Sequence, residues 1–136
     1  DSDTIARGLS ELATTERLAG DLDAAERDYR EALQISKAAV NHQSVAVCLC
    51  QLGLLALKRE EWADAETLIC EALPLSKKLG RHDLIAWNCS VLAKALAQQG
   101  RKPEAIQHAQ CAVEIFTALR SPSLEWARQI LAECES

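Results

Sequence analysis

GDLDAAERDYREAL, Gly20 to Leu33, decides the fold, because something like it returns twice. EEWADAETLICEAL stands at Glu60–Leu73 and GRKPEAIQHAQCAV at Gly100–Val113, each forty residues after the last. By itself the stretch reads as a turn followed by an amphipathic helix. Its return makes it part of a repeated unit. Ala25, Ala65 and Ala105 correspond, as do Tyr29, Ile69 and Ala109, then Ala32, Ala72 and Ala112, then Leu33, Leu73 and Val113. Steps of three and four place these residues on one face of a helix.

The same shift reveals a second stripe ahead of the first in every unit. Ile5, Val45 and Ile85 correspond, as do Ala6, Ala46 and Ala86, then Leu9, Leu49 and Cys89, then Leu12, Leu52 and Leu92, then the small residues Ala13, Gly53 and Ala93. Each unit is therefore two helices. They are joined at Gly20-Asp21, Glu60-Glu61 and Gly100-Arg101, connections short enough to force antiparallel hairpins. The pattern predicts helices at 3–19, 22–39, 42–59, 62–79, 82–99 and 102–119, with unit joints near Asn41, Gly80-Arg81 and Arg120-Ser121.

Two prolines bear on these helices. Pro103 falls in the first turn of its helix, where a missing N–H is harmless. Pro74 falls inside the second helix of unit two, removes a backbone bond to Cys70, and is expected to kink or shorten that helix. After unit three, Ser121-Pro122-Ser123 breaks the chain. LEWARQILAEC then offers Leu124, Ala127, Leu131 and Cys134 as a further apolar stripe, a capping helix within 122–134 that covers the open face of the last unit. The expectation is an all-α solenoid: one domain over 1–136, with repeats at 3–40, 42–80 and 82–120 and a cap.

Composition agrees with helix. Ala and Leu make almost a third of the 136 residues, while Gly and Pro together number eight and aromatics five. Fifteen basic and twenty acidic residues are interspersed to a net charge of -5, which speaks against a nucleic-acid surface. No apolar run approaches the ~20 residues of a membrane helix, and no signal segment opens the chain, so a cytoplasmic location is expected. The six cysteines form no CxxC pair and mostly take apolar phases, as reduced core thiols do. The lack of Met and the opening DSDT suggest part of a longer protein.

The small residues at the hairpin approach (Ala13, Gly53, Ala93) and the alanines at the next two contacts resemble tetratricopeptide repeats. Leu49, Leu52 and Gly53 match that family's Leu-x-x-Leu-Gly, and Trp62-Ala63-Asp64-Ala65-Glu66 is similar to its aromatic entry to the second helix. The resemblance spans essentially the whole chain and implies a right-handed α-α superhelix. It departs from the family in period, forty against ~34 residues, and in carrying Cys89 and Ala109 where larger residues are usual. The long unit and AVEIFTALRSPSLEWARQILAE resemble the terminal repeats of large bacterial signalling ATPases and regulators.

Catalytic signatures are missing: no GxxxxGK[ST], GxSxG, HExxH or glycine-rich dinucleotide turn occurs. Glu104, His108 and Cys111 share a helix face at a spacing a metal uses, but a fourth ligand and any echo in other units are absent. An exposed Glu-His pair beside a buried thiol is the simpler reading, and neither cofactor nor metal is expected. His42 and His82 recur at equivalent helix starts, where structural or solvated histidines are commonplace. The carboxylates Glu26, Asp28 and Glu31 follow the outward phase of a helix, as a solvated face does.

A binding surface is the better proposition, because stacked hairpins line a concave face with their first helices. The candidate positions are Arg7, Ser10, Glu11 and Thr14 in unit one, Val47, Cys50, Gln51 and Leu54 in unit two, and Trp87, Ser90, Val91 and Lys94 in unit three. The resemblance implies a protein or peptide partner. The clamp of lysines and asparagines that some members close on a terminal carboxylate is not expected, since Lys94 is the single base among these positions in the two inner units. An apolar middle of Val47, Leu54, Trp87 and Val91 would instead suit a partner helix, with Trp87 its anchor. Alternatively VAVCLCQLGLLAL is apolar all round because its helix is squeezed between neighbours. The two functions weighed are an interaction scaffold and a sensor or autoinhibitory segment of a larger regulator.

Overall fold

The computed structural model describes every residue from Asp1 to Ser136 and contains seven helices and no strand. They are α1 (Ser2–Leu18), α2 (Leu22–Ala38), α3 (His42–Lys58), α4 (Trp62–Leu79), α5 (His82–Gln98), α6 (Lys102–Leu119) and α7 (Leu124–Glu135). Each of the first six ends within one residue of the span its apolar pattern predicts. Sequence neighbours pack as antiparallel pairs, and α1, α3, α5 and α7 also touch in a row, forming an inner layer with α2, α4 and α6 outside.

Helices α1 to α6 have 17 or 18 residues each because every connection among them is the same turn. A residue of positive φ stands at each twentieth position: Gly20, Val40, Glu60, Gly80, Gly100 and Arg120. The amide of that residue bonds the carbonyl three residues back, and the next amide reaches five back, as in Gly20 to Arg17 with Asp21 to Glu16. The pairing recurs unchanged from Val40 and Asn41 to Arg120 and Ser121. These are left-handed helix stops that satisfy the last carbonyls. Asp21 and Asn41 then cap the next helix, accepting from the amides of Ala24 and Ser44. Val40 is the costly member, since a β-branched side chain resists this region and its 67 % exposure provides no packing in return.

Within each hairpin, one position on the first helix faces one on the second at closest approach. Gly53 meets Ile69, and the equivalent pairs Ala13 with Tyr29 and Ala93 with Ala109 share a core cluster; all three second-helix residues are buried. Gly53 has no spare room, because a Cβ built there would lie 2.5 Å from Ile69 Cδ1 and 2.9 Å from its Cγ1. Tyr29 is held by its hydroxyl, 2.7 Å from Thr14 Oγ1. Thr14 spends its own hydrogen on the Ser10 carbonyl at 2.9 Å, so Tyr29 is the donor. Between units, Ser36 bonds Ser44 at 2.6 Å, and Asn88 donates to Ser76 at 2.8 Å. The third member of that series is Phe116, which instead joins Ala127, Ile130 and Cys134 of α7 in an apolar cap.

Three expectations change. Ile5 and Leu12 belong to the core stripe by phase, yet they are 55 % and 50 % exposed. Val45 and Leu52 pack in the layer that α2 and α3 share, and Ile85 and Leu92 in the one that α4 and α5 share, whereas within residues 1–136 the equivalent face of α1 meets no helix. Pro74 does not shorten α4, which runs unbroken over 18 residues. The proline is exposed, while Ala72, Leu73 and Ser76 around it remain buried against the neighbouring helices. In α7 the buried stripe is Ala127, Ile130 and Cys134, with Leu124 and Leu131 only half-buried. The helix is rotated toward Ile130 from the face its leucines suggested.

Near the first turn, α1 and α2 bring Glu16 and Asp28 together with Arg27, whose guanidinium lies 3.8 Å from Glu16 and 3.4 Å from Asp28. Hydrogen bonding to Asp28, and then burial, push the Glu16 carboxyl up. Accepting that bond holds Asp28 below the usual range, against the opposing effect of its burial. The contact thus pushes the two carboxyls in opposite directions.

Three predictions follow from these packing details. Replacing Val40 with Gly relieves the left-handed strain and raises unfolding stability by about 1 kcal/mol in urea titration; an unchanged or lower midpoint rejects the strain. Gly53→Ala lowers stability by about 1–2 kcal/mol through overpacking, and Ile69→Val in the same chain recovers most of that loss; strictly additive single effects would show that the two positions do not compete for volume. The raised Glu16 value contributes stability that is complete below the unfolded value and lost as pH rises through the folded one. Asp28 contributes stability present above its unfolded value and lost as pH falls through its lowered one. Glu16→Gln keeps a donor and removes the second charge, so its advantage over wild type grows toward neutral pH; parallel stability curves would rule out the coupling of the two carboxyls.

Candidate partner-binding groove

The twelve positions proposed from the sequence all lie on the inner-layer helices, but they are not equally accessible. Arg7 and Glu11 are exposed, and Ser10, Thr14, Val47, Gln51, Leu54, Trp87 and Lys94 are half-buried. Cys50, Ser90 and Val91 are buried and leave the candidate surface. Ser90 donates to the Ala86 carbonyl at 2.9 Å. Val91 sits in the apolar core that α7 closes. Thr14 serves the hairpin through Tyr29, and Ser10 contacts Cys48 across α1 and α3 at 3.7 Å. Trp87 is not a free anchor: its ring lies 4.6 Å from that of Trp126, tilted by 38°, so α7 covers one face.

Two cavities open along α1, α3 and α5 and meet at Val47. One, of about 330 Å³, is polar, with Asp3, Arg7 and Ser10 of α1 facing Asn41, Gln43 and Ser44. The other, of about 380 Å³, has an apolar floor of Val47, Leu54, Leu84 and Trp87. Gln51, Arg17, Arg81 and Asp83 stand around that floor, and Cys50 reaches it from below. Burial, and secondarily Asp83, push the Cys50 thiol up to about 12, which leaves it uncharged and inert at neutral pH.

Arg17 and Arg81 were outside the sequence proposal. Arg17 continues the stripe of Arg7, Ser10 and Thr14 by one more step of three, so extending that stripe to the end of α1 finds it. Arg81 belongs to a connection and follows no helical phase. Its guanidinium grips Asp83 at 2.8 and 3.0 Å and donates to Gln43 at 2.8 Å, joining the rims of the two cavities. That contact holds the Asp83 carboxyl below its ordinary range. Lys94 lies 3.8 Å from Glu133. Arg7 and Arg17 stand in no ion pair, and two polar atoms of the apolar cavity, Arg17 Nε and Gln51 Oε1, are shielded from solvent without a partner.

The remaining sequence candidates have local explanations. Glu104 is bonded to Arg101 at 2.9 Å, and its carboxyl is lowered chiefly by that contact. His108 is pushed down by burial and then by Lys77, so it is neutral at pH 7. No three His, Cys, Asp or Glu side chains converge as metal ligands. His42 and His82 are exposed at the first positions of α3 and α5. No helix is long and apolar enough to cross a membrane.

The stacked hairpins, with small residues at each approach, agree with a family model of the tetratricopeptide repeat that matches residues 4–78. The chain belongs to the tetratricopeptide repeat family. Solved structures similar to this tetratricopeptide repeat chain include the apo form of RapI, at 18% identity and a TM-score of 0.86 over 99% of this chain and 38% of that one. BtubC (BKLC) from P. vanneervenii aligns at 22% identity and 0.85 over 98% of this chain and 56% of that one. The N-terminal domain of stress-induced protein-1 (STI-1) from C. elegans aligns at 17% identity and 0.70 over 95% of both chains. At these identities the likeness is one of fold. The chain spans well under two-thirds of RapI and of BtubC. No match is found among curated proteins.

Proposed function

We propose that this chain is a non-catalytic scaffold that holds a peptide or helix of another protein, or of another domain of its own parent chain, along its inner face. The observation that carries the reading is the apolar cavity of about 380 Å³ between α3 and α5, where Val47, Leu54 and Trp87 are half-buried and keep part of their surface open. A cleft of that size, apolar at the bottom with a few polar groups around it, is suited to binding. Tetratricopeptide repeats generally mediate protein interactions. The binding positions are those sequence candidates that keep an accessible side chain, joined by Arg17 and Arg81. A cytoplasmic setting agrees with reduced thiols and the absence of an apolar spanning helix.

A second reading makes this scaffold a sensing or autoinhibitory segment of a larger bacterial signalling ATPase or transcriptional regulator; its alignment to only part of RapI and of BtubC agrees with a segment of a longer chain. The forty-residue unit, longer than the family's usual ~34, fits such a specialised segment.

Selection of displayed random linear peptides on the purified protein tests the groove. Binders are expected to lose at least about tenfold in affinity on Leu54→Asp, with far-UV circular dichroism and melting near wild type. Trp87→Ala should weaken the same binders, but it also removes the Trp126 stack, so Leu54→Asp is the cleaner variant. Failure to enrich binders, or binders indifferent to Leu54→Asp, rejects the groove as the site.

A further inference from the structure

The two edges of the stack are chemically different. At one edge α7 turns Glu125, Arg128 and Gln129 outward, with Arg128 4.0 Å from Glu125. At the other, α1 carries an exposed and uncharged stripe of Ile5, Gly8, Leu12, Thr15 and Ala19 in steps of three and four. Ile5 and Leu12 hold the phase that Val45 and Leu52 fill at the first joint between units and Ile85 and Leu92 at the second. The stripe thus continues an interface that the chain already uses twice.

Gly8 supplies a second, independent observation. Glycine inside a helix weakens it relative to alanine, and Gly53 returns something for that by making room for Ile69. Gly8 makes room for nothing in its own chain, because a Cβ built there meets no atom within 4 Å. Its equivalents are buried at the joints, Cys48 against Ser10 and Asn88 donating to Ser76. A further hairpin of the same series, presenting a serine as Ser36 and Ser76 do, would find neither the volume of Cys48 nor the amide of Asn88 at Gly8. The place fits a large apolar side chain on a helix that comes close.

We infer that this edge docks on the same edge of a second copy of the chain, with the two α1 helices antiparallel about a two-fold axis. The stripe holds one large side chain and one missing side chain a single turn apart. An axis midway between them sets each Leu12 on the partner's Gly8 and each Ile5 beside the partner's Thr15, as a self-complementary two-fold contact requires. Charge agrees. Arg7 and Glu11 flank the stripe on its groove side, both exposed and neither in an ion pair within the chain, and the axis brings each Arg7 toward the partner's Glu11. Groove-side flank meets groove-side flank, so both grooves open on one side of the pair. One helix face falls well short of the ~800 Å² per partner of a tight complex, so the pair is weak and reversible.

Sedimentation velocity on residues 1–136 tests this. Wild type should pass from monomer at about 1 µM to dimer at about 1 mM. Leu12→Glu and Gly8→Gln should each weaken association at least about tenfold. Gly8→Gln should at the same time raise the melting temperature of the dilute monomer, because the position is open and the helix gains a better former; a residue serving only the fold would not move the two readings in opposite directions. Arg7→Glu and Glu11→Arg should each be monomeric alone, facing like charges across the axis, and should pair when mixed. A chain that stays monomeric at the highest concentration leaves the stripe to some other helix and overturns the inference. So does association untouched by Leu12→Glu and Gly8→Gln, or a mixture of the two charge variants that fails to pair while wild type dimerises.

Discussion

The left-handed residue that follows each of helices α1 to α6 is the constraint on which the architecture rests. With Gly20, Val40, Glu60, Gly80, Gly100 and Arg120 all at positive φ, the chain reverses at equal intervals, and the turn inside a hairpin is the turn between hairpins. Equal helices leave no long loop. The stack is therefore uniform in depth, and each first helix lies beside the next with its ends in register. A continuous inner face needs that registration, because a longer connection at any joint would let one unit slide and close the space between α1, α3 and α5.

The groove is what remains after packing has taken what it needs from that inner layer. In α3, Val45, Cys48, Leu49 and Leu52 are consumed by the core, while Val47, Gln51 and Leu54 stay half-buried on the remaining side. In α5 the balance moves further toward packing, because α7 returns onto it and takes Val91 and one face of Trp87. The accessible strip therefore runs diagonally, from the end of α1 at Arg17 to the start of α5 at Arg81, rather than straight along one row of equivalent positions.

Much of this was legible in the chain because helix phase and close approach are local demands. Ala13, Ala25 and Ala32 announce the hairpin by size, and the spacing of Leu49, Leu52 and Gly53 announces its partner face. What stayed hidden depends on neighbours. Ile5 and Leu12 have the phase of core residues but no packed neighbour within residues 1–136, and Ser90 and Val91 have the phase of groove residues but are buried in the layer that α7 closes. The left-handed stops at Val40, Glu60 and Arg120 carry no glycine to mark them, and Pro74 sits quietly in α4 because tertiary contacts on both sides outweigh one missing bond. Arg17 lay one step beyond the stripe that had been followed, and Arg81 lay on no stripe at all.

The pairing of Gly53 with Ile69 has a consequence for how such chains diversify. Closest approach couples the two residues' sizes without fixing either: glycine opposite isoleucine leaves no room for a Cβ, while alanine stands opposite alanine in another hairpin and opposite tyrosine, its hydroxyl on Thr14, in a third. Two coupled positions can change together. Each unit thus drifts along its own line of compensating exchanges while the turns keep the frame constant, so neighbouring units become chemically distinct without becoming structurally different. A scaffold of repeated shape acquires an address that is not repeated.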